Sequence, residues 1–202
     1  MTTAFWICIF LVFYTYIGYG IVLYLLVKLK RIVRPEKRDS ETETELPHVT
    51  LMICAYNDED IVDKKMENTN ALDYPKEKLH VLWVTDGSND LTNQRLAKYD
   101  NVTVAFKPER KGKTAALNHG IKEVKTDIVA MTDANTMLND QAMKVIVAEM
   151  KNPKVGCVAG EKRVMARDDK QSAAEGEGLY WKYESCLKRL DSERHSARGA
   201  AG

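Results

Sequence analysis

Two oxygen-bearing side chains close the apolar run Ile128-Val129-Ala130-Met131-Thr132: Asp133 and, two residues on, Asn135. A short apolar run that stops in an acid and an amide is the pattern of a buried strand whose carboxyl end opens into a site. If the extended geometry continues, residues two apart face the same way. A carboxylate and an amide oxygen so placed can hold a hard cation beside a phosphate. The same residues could instead form an Asx-type turn that only stops the strand. Polar clusters follow two other apolar runs: Ala55-Tyr56-Asn57-Asp58-Glu59 after Cys54, and Asp86-Gly87-Ser88-Asn89-Asp90 after Thr85. A basic turn, Arg110-Lys111-Gly112-Lys113, opens a helical stretch. Acids can hydrogen-bond the base and ribose edges of a nucleotide, while lysines and helix N-terminal amides can neutralise a diphosphate. The set suits a nucleoside diphosphate substrate, although basic runs are usually solvated turns.

The elements that must position these groups alternate. Strands are predicted at 48–54, 79–85, 102–106, 128–132 and 155–159, and helices at 58–71, 91–99, 114–124, 140–150 and 176–190. Such alternation implies parallel βαβ units, with a sheet buried on both faces by helices. Ligands of these sheets bind beyond the carboxyl ends of the strands, where three polar clusters converge here.

Residues 1–27 carry no charged side chain, and 4–27 is almost wholly apolar and aromatic. As a helix this stretch would span about 36 Å, enough for a hydrocarbon core of about 30 Å. It lacks the basic start and short apolar core of a cleavable signal, so a retained anchor over 1–28 is expected. Lys28, Lys30, Arg31, Arg34, Lys37 and Arg38 follow directly. Positive charge stays cytoplasmic, which predicts a single-pass protein of the cell membrane, with the bilayer as partner and the C-terminal domain in the cytosol. A basic then acidic linker occupies 29–47.

The balanced net charge of +1 over 202 residues argues against a nucleic acid polymer as partner. Cys8, Cys54, Cys157 and Cys186 are far apart and read as free thiols of a reducing compartment, and the four histidines do not cluster. Gly112-Lys113-Thr114 ends like a P-loop, but that pattern needs glycine where Lys107 stands. A Gly-x-Gly-x-x-Gly turn and a Gly-x-Ser-x-Gly elbow are both absent.

Four ordered motifs remain: Cys-Ala-Tyr-Asn-Asp-Glu at 54–59, Val-Thr-Asp-Gly-Ser-Asn-Asp at 84–90, Lys-Gly-Lys-Thr-Ala-Ala-Leu-Asn at 111–118 and Thr-Asp-Ala-Asn at 132–135. In order and spacing they resemble the family 2 glycosyltransferases. The resemblance implies a GT-A-type nucleotide-sugar-binding half over 48–202, an α/β fold with a mainly parallel sheet flanked by helices after one N-terminal transmembrane helix. The anchor and Gly-Glu-Gly-Leu-Tyr-Trp-Lys-Tyr-Glu at 176–184 are similar to bacterial synthases of cellulose, hyaluronan and poly-N-acetylglucosamine. The implied activity is transfer of a sugar, with inversion, from a nucleotide-diphospho-sugar (a UDP-sugar) to a glycan or lipid acceptor hydroxyl in cell-surface polysaccharide synthesis. By the same resemblance, Ala55, Tyr56 and Asn57 lie along the nucleotide and Asp58 near base or ribose. Asp86 contacts the base, and Lys111 and Asn118 line the nucleotide-sugar side. Asp133 is the catalytic residue and, with Asn135 in the family's acid-x-acid motif, holds Mg²⁺ or Mn²⁺ on the diphosphate.

Cys54 stands in place of the family's usual proline, Asp58 in place of its glutamate and Asn135 in place of its second acid. An amide oxygen ligates a hard cation without adding charge, so metal affinity should be lower than with two acids. The family's general-base acid and its Gln-x-x-Arg-Trp motif do not occur, and the chain reads as a C-terminally truncated enzyme. The alternative is a non-catalytic, membrane-anchored nucleotide-binding fragment.

Overall fold

A computed structural model describes residues 2–33, 45–161 and 171–194. The chain divides into two compact units, one of residues 43–158 and the other combining 1–42 with 159–201.

In the second of these, helix α1 (Thr2–Phe13), a π-helical turn (Tyr14–Gly18) and helix α2 (Tyr19–Val33) run on without a break. Over Thr2–Val33 the 32 residues have a mean hydropathy of 2.0 in their most apolar stretch, and this helix is long and apolar enough to cross a membrane. A last helix, α7 (Gln171–Arg194), belongs to the same unit and starts earlier than the sequence predicts. Leu23 and Val27 of α2 bury against Leu190. The Arg31 guanidinium meets the Glu193 carboxylate at 2.7 and 2.8 Å, and the Tyr19 hydroxyl donates to Asp191 at 2.9 Å. Most of the basic and acidic linker lies outside the described residues.

The unit of residues 43–158 is a four-stranded, all-parallel sheet. Its elements in order are β1 (Val49–Ala55), α3 (Val62–Asn70), β2 (Leu79–Asp86), α4 (Thr92–Leu96), β3 (Val102–Lys107), α5 (Lys113–Gly120), β4 (Ile128–Asp133) and α6 (Ala142–Met150). The strand order is β3-β2-β1-β4. Strand β1 pairs with both β2 and β4, setting Cys54 beside Val84 on one side and Asp133 on the other. Alternate residues serve opposite faces, as the two-residue period of a strand requires. Val49, Leu51 and Ile53 pack with Val62 and Met66 of α3, Trp83, and Met143 and Val147 of α6. Met52 joins Leu82, Val84 and Ala116 of α5 on the other face. Burial on both faces is why these strands read as continuous apolar runs.

Three expectations need correction. Residues 155–159 are not a strand: Gly156 interrupts the run, Gly156 and Cys157 are exposed, and among the described residues no strand pairs with them. The helix predicted from residue 58 begins only at Val62, because residues 56–61 form turns, with the Asp58 carboxylate on the Tyr56 N–H and Glu59 tied to Asp90 and Leu91. Helix α5 is also shorter than 114–124, ending at Gly120.

Gly120 shows how close α5 lies to the sheet. A Cβ there would come within 2.5 Å of both Met52 Sδ and Val84 Cγ2. Gly120→Val should therefore lower stability by about 1–3 kcal/mol through overpacking. The expected readout is a lower urea midpoint for the detergent-solubilised chain with unchanged slope.

Candidate active site at the strand ends

In a parallel sheet of order β3-β2-β1-β4, the chain leaves β1 towards β2 and later returns on the far side to β4. The switch point therefore lies between β1 and β4, and a crevice is expected there beyond the strand ends. Asp133 ends β4 at this point. The Ala134 N–H still bonds the Cys54 carbonyl at 3.1 Å, but the Thr136 N–H turns back to the Asp133 carbonyl at 3.2 Å. The strand stops at Asp133, so the alternation that would align Asn135 with Asp133 does not continue, and Asn135 lies exposed in a turn. The Asp133 carboxylate takes a cation as its partner: Lys113 Nζ, on the first turn of α5, is 2.8 and 3.1 Å from its two oxygens. The neighbouring Cys54 thiol is pushed up to about 11 by burial, with the Asp133 charge adding to the effect, so it stays protonated.

The loops after β1 and β2 are zipped together. The Asn57 side-chain amide donates to Asn89 Oδ1 at 2.9 Å and accepts the Asn89 N–H at 3.0 Å. The Asn57 N–H reaches Ser88 Oγ, and the Asp58 N–H reaches Thr92 Oγ1. Glu59 and Asp90 complete the zip, the Glu59 N–H donating to Asp90 at 3.1 Å and the Glu59 carboxylate accepting the Leu91 N–H at 2.8 Å. Asn57 adopts φ +51°, a left-handed conformation that asparagine tolerates better than most residues. The Asp58 carboxylate folds back and accepts the Tyr56 N–H at 2.9 Å. Ala55 is buried at the end of β1 and Tyr56 is exposed.

Asp86 ties the second loop to the basic turn. Its Oδ2 accepts the N–H groups of Lys111 at 2.9 Å and Gly112 at 2.6 Å. Gly87 at φ +72° allows this approach, since a Cβ there would stand 2.7 Å from the Arg110 nitrogen. The Arg110 guanidinium consequently lies 3.8 Å over the Tyr56 ring, a cation–π contact. Asp86, Lys111 and Asn118 share a cavity of about 270 Å³ with Lys107 and His119. Asp133, Asn135 and residues 55–58 are not among its walls.

Residues 50–194 match the family described as "Glycosyl transferase family 2". The chain belongs to this family. It is 34% identical over 125 residues to a poly-beta-1,6-N-acetyl-D-glucosamine synthase of Staphylococcus aureus, covering 59% of this chain and 30% of that one. To the probable glycosyltransferase YdaM of Bacillus subtilis it is 34% identical over 133 residues, 62% of this chain and 32% of the other. The chain thus spans about a third of the length of these curated relatives. The fold is also that of the mannosyltransferase PcManGT from Pyrobaculum calidifontis, solved with GDP-Man and Mn²⁺, with TM-score 0.67, 24% identity and 89% of this chain and 49% of that one covered. S. aureus TarS 1-349, solved in complex with UDP-GlcNAc, matches with TM-score 0.54, 23% identity and coverage of 62% and 37%.

Among the described residues of this family 2 domain, no three of His, Cys, Asp and Glu converge to hold a metal. Asp133 and Asn135 nevertheless fit a hard cation in kind, because Mg²⁺ is commonly held by one or two carboxylates with substrate phosphates and water filling the rest. Sequence reasoning named Lys113 and Arg110 only as parts of a basic turn, and it missed Lys65. That lysine is fully buried on α3, and its Nζ donates to the Thr136 carbonyl. A lysine within a charged helical stretch, Asp63-Lys64-Lys65, gives no sign of burial.

Burial pushes Lys65 down to about 8, with Asp133 opposing the shift. Its charged form is therefore harder to hold in the folded than in the unfolded chain. The resulting cost is complete below about pH 8 and is relieved as pH rises towards the ordinary lysine value of 10.5. The stability of Lys65→Met relative to the unaltered chain, from thermal melts at stepped pH, should fall as pH rises from about 8 to 10.5 and be level below that range.

Proposed function

We propose that this chain provides the nucleotide-sugar half of a membrane-anchored glycosyltransferase. It binds a UDP-sugar whose sugar is transferred, with inversion, to a glycan or lipid hydroxyl in cell-surface polysaccharide synthesis. The observation that carries this reading is the Asp133–Lys113 pair at the β1/β4 switch point, next to a basic turn held in place by Asp86. An acid for a cation and an amine for a phosphate, in contact with each other, match the two ends of a metal–diphosphate ligand. Membership of family 2 supports the reaction class.

On this reading Tyr56 and Arg110 flank the base, and Ala55 and Asn57 border the nucleotide. Asp58 and Asp86 hold the loops that shape the base side, while Lys111 and Asn118 face the sugar-bearing end. Lys113 releases Asp133 and neutralises a diphosphate oxygen. Asp133 and Asn135 would hold Mg²⁺ or Mn²⁺, which supplies stabilisation of the charge that develops on the leaving diphosphate. Residues 1–28 anchor the chain, 29–47 link it, and the basic residues after the span place the catalytic domain in the cytosol.

Titration of the detergent-solubilised chain with UDP tests this. Affinity should be about ten-fold higher with Mn²⁺ than with EDTA, an increment of about 1.4 kcal/mol. Asp133→Ala should remove the increment, and Lys98→Ala, on the exposed end of the β2–β3 connection, should leave it. Absence of UDP heat under both conditions would overturn the reading.

A further inference from the structure

We propose that Lys65 is a positioning residue for the cation–diphosphate end of the site, holding the turn that carries Asp133 and Asn135 from behind. This inference rests on the reading of that turn given above.

Helix α3 grips the chain just after Asn135 at two points. Lys65 Nζ donates to the Thr136 carbonyl. Three residues on, and so on the same helix face, Asn68 makes a two-way bond with Leu138, donating to its carbonyl at 2.7 Å and accepting its N–H at 2.9 Å. Together they fix residues 136–138 against a helix packed into the core through Val62 and Met66. The two grips differ in chemistry. Asn68 does its part with a neutral amide. Lys65 does so with an amine that is fully buried, where an ammonium is expensive to desolvate.

A neutral donor would serve the Thr136 carbonyl equally well as a bond. The lysine differs in bringing a cation towards Asp133, whose charge opposes the loss of the Lys65 proton. Lys65 is buried and bonded to the Thr136 carbonyl three residues after this acid, and Lys113 reaches the acid from the first turn of α5. When Lys113 turns to a diphosphate, Lys65 keeps the turn that carries the carboxylate in place. Outer groups that orient metal ligands act in this way.

Lys65→Met keeps the length and apolar stem while removing donor and charge. Two readouts are taken on the full chain in detergent. Hydrogen exchange of a peptide covering 131–138 should be faster in the variant, with the β1 peptide unchanged. For UDP, affinity in EDTA should stay unchanged, while the gain from Mn²⁺ should fall by about ten-fold, to nearly none. A purely packing role predicts an altered melting temperature with unchanged exchange and an unchanged Mn²⁺ gain, and that result overturns the proposal. A larger Mn²⁺ gain in the variant also overturns it, since the ammonium would then only repel the cation. If Lys65→Met does not melt cooperatively, Lys65→Gln, a neutral donor of shorter reach, carries the same two readouts. A missing Mn²⁺ gain in the unaltered chain would count against the site reading, and the exchange measurement would then decide alone whether Lys65 holds the turn.

Discussion

Everything at the strand ends depends on β1 being buried on both faces and paired in parallel on both edges. Two parallel neighbours cannot be reached by hairpins, so each demands a crossover through a helix. The crossovers through α3 and α4 cover one face, and α5 covers the other before the chain enters β4. The loops leaving β1 and β4 both run to the face covered by α3 and α6, and residues 136–138 lie against α3. Asp133 takes its place from this arrangement: Cys54 is its register partner, and α5 begins close enough for Lys113 to reach it.

The polar residues at the strand ends divide into two kinds. Asn57, Asp58, Glu59 and Asp90 use their side chains on backbone and side-chain groups of the adjoining loops. Asp86 does the same for the basic turn while also bordering the cavity beside α5. Asp133 and Arg110 are instead paired with other functional groups at the surface. A site is more accurate when one set of polar groups locks the loops and another meets the ligand. The zip between the loops fixes the backbone that carries Tyr56, and on the proposed reading Tyr56, Arg110 and Asp133 are the groups that meet the ligand.

The four strands of the sheet were legible in the sequence because a doubly covered parallel strand must be apolar on both faces. The run at 155–159 looked similar in composition, but whether an apolar run becomes a strand depends on a hydrogen-bonding neighbour, which composition does not reveal. The motif residues were legible as a group, yet their partners were not. Nothing local in Asn57 or Asn89 predicts that their amides meet across 32 residues. The burial of Lys65 was hidden for a related reason. Helical spacing puts it on the same face as Asn68, and only the return of residues 136–138 over that face makes it an interior position.

Charge at the β1/β4 end gives the arrangement a further consequence. Asp133 is held by Lys113, and a divalent cation beside the same carboxylate would repel that amine. On the proposed reading, a cation binds well only when Lys113 has another anion to go to. A diphosphate provides one, and it also offers the oxygens that Asp133 and an uncharged Asn135 do not. Cation and nucleotide then strengthen each other's binding, and linkage makes that effect equal in both directions. Replacing the family's second acid with Asn135 sharpens this dependence: with one carboxylate and an amine already upon it, the strand end has little attraction for a bare cation, and the diphosphate becomes part of the binding site.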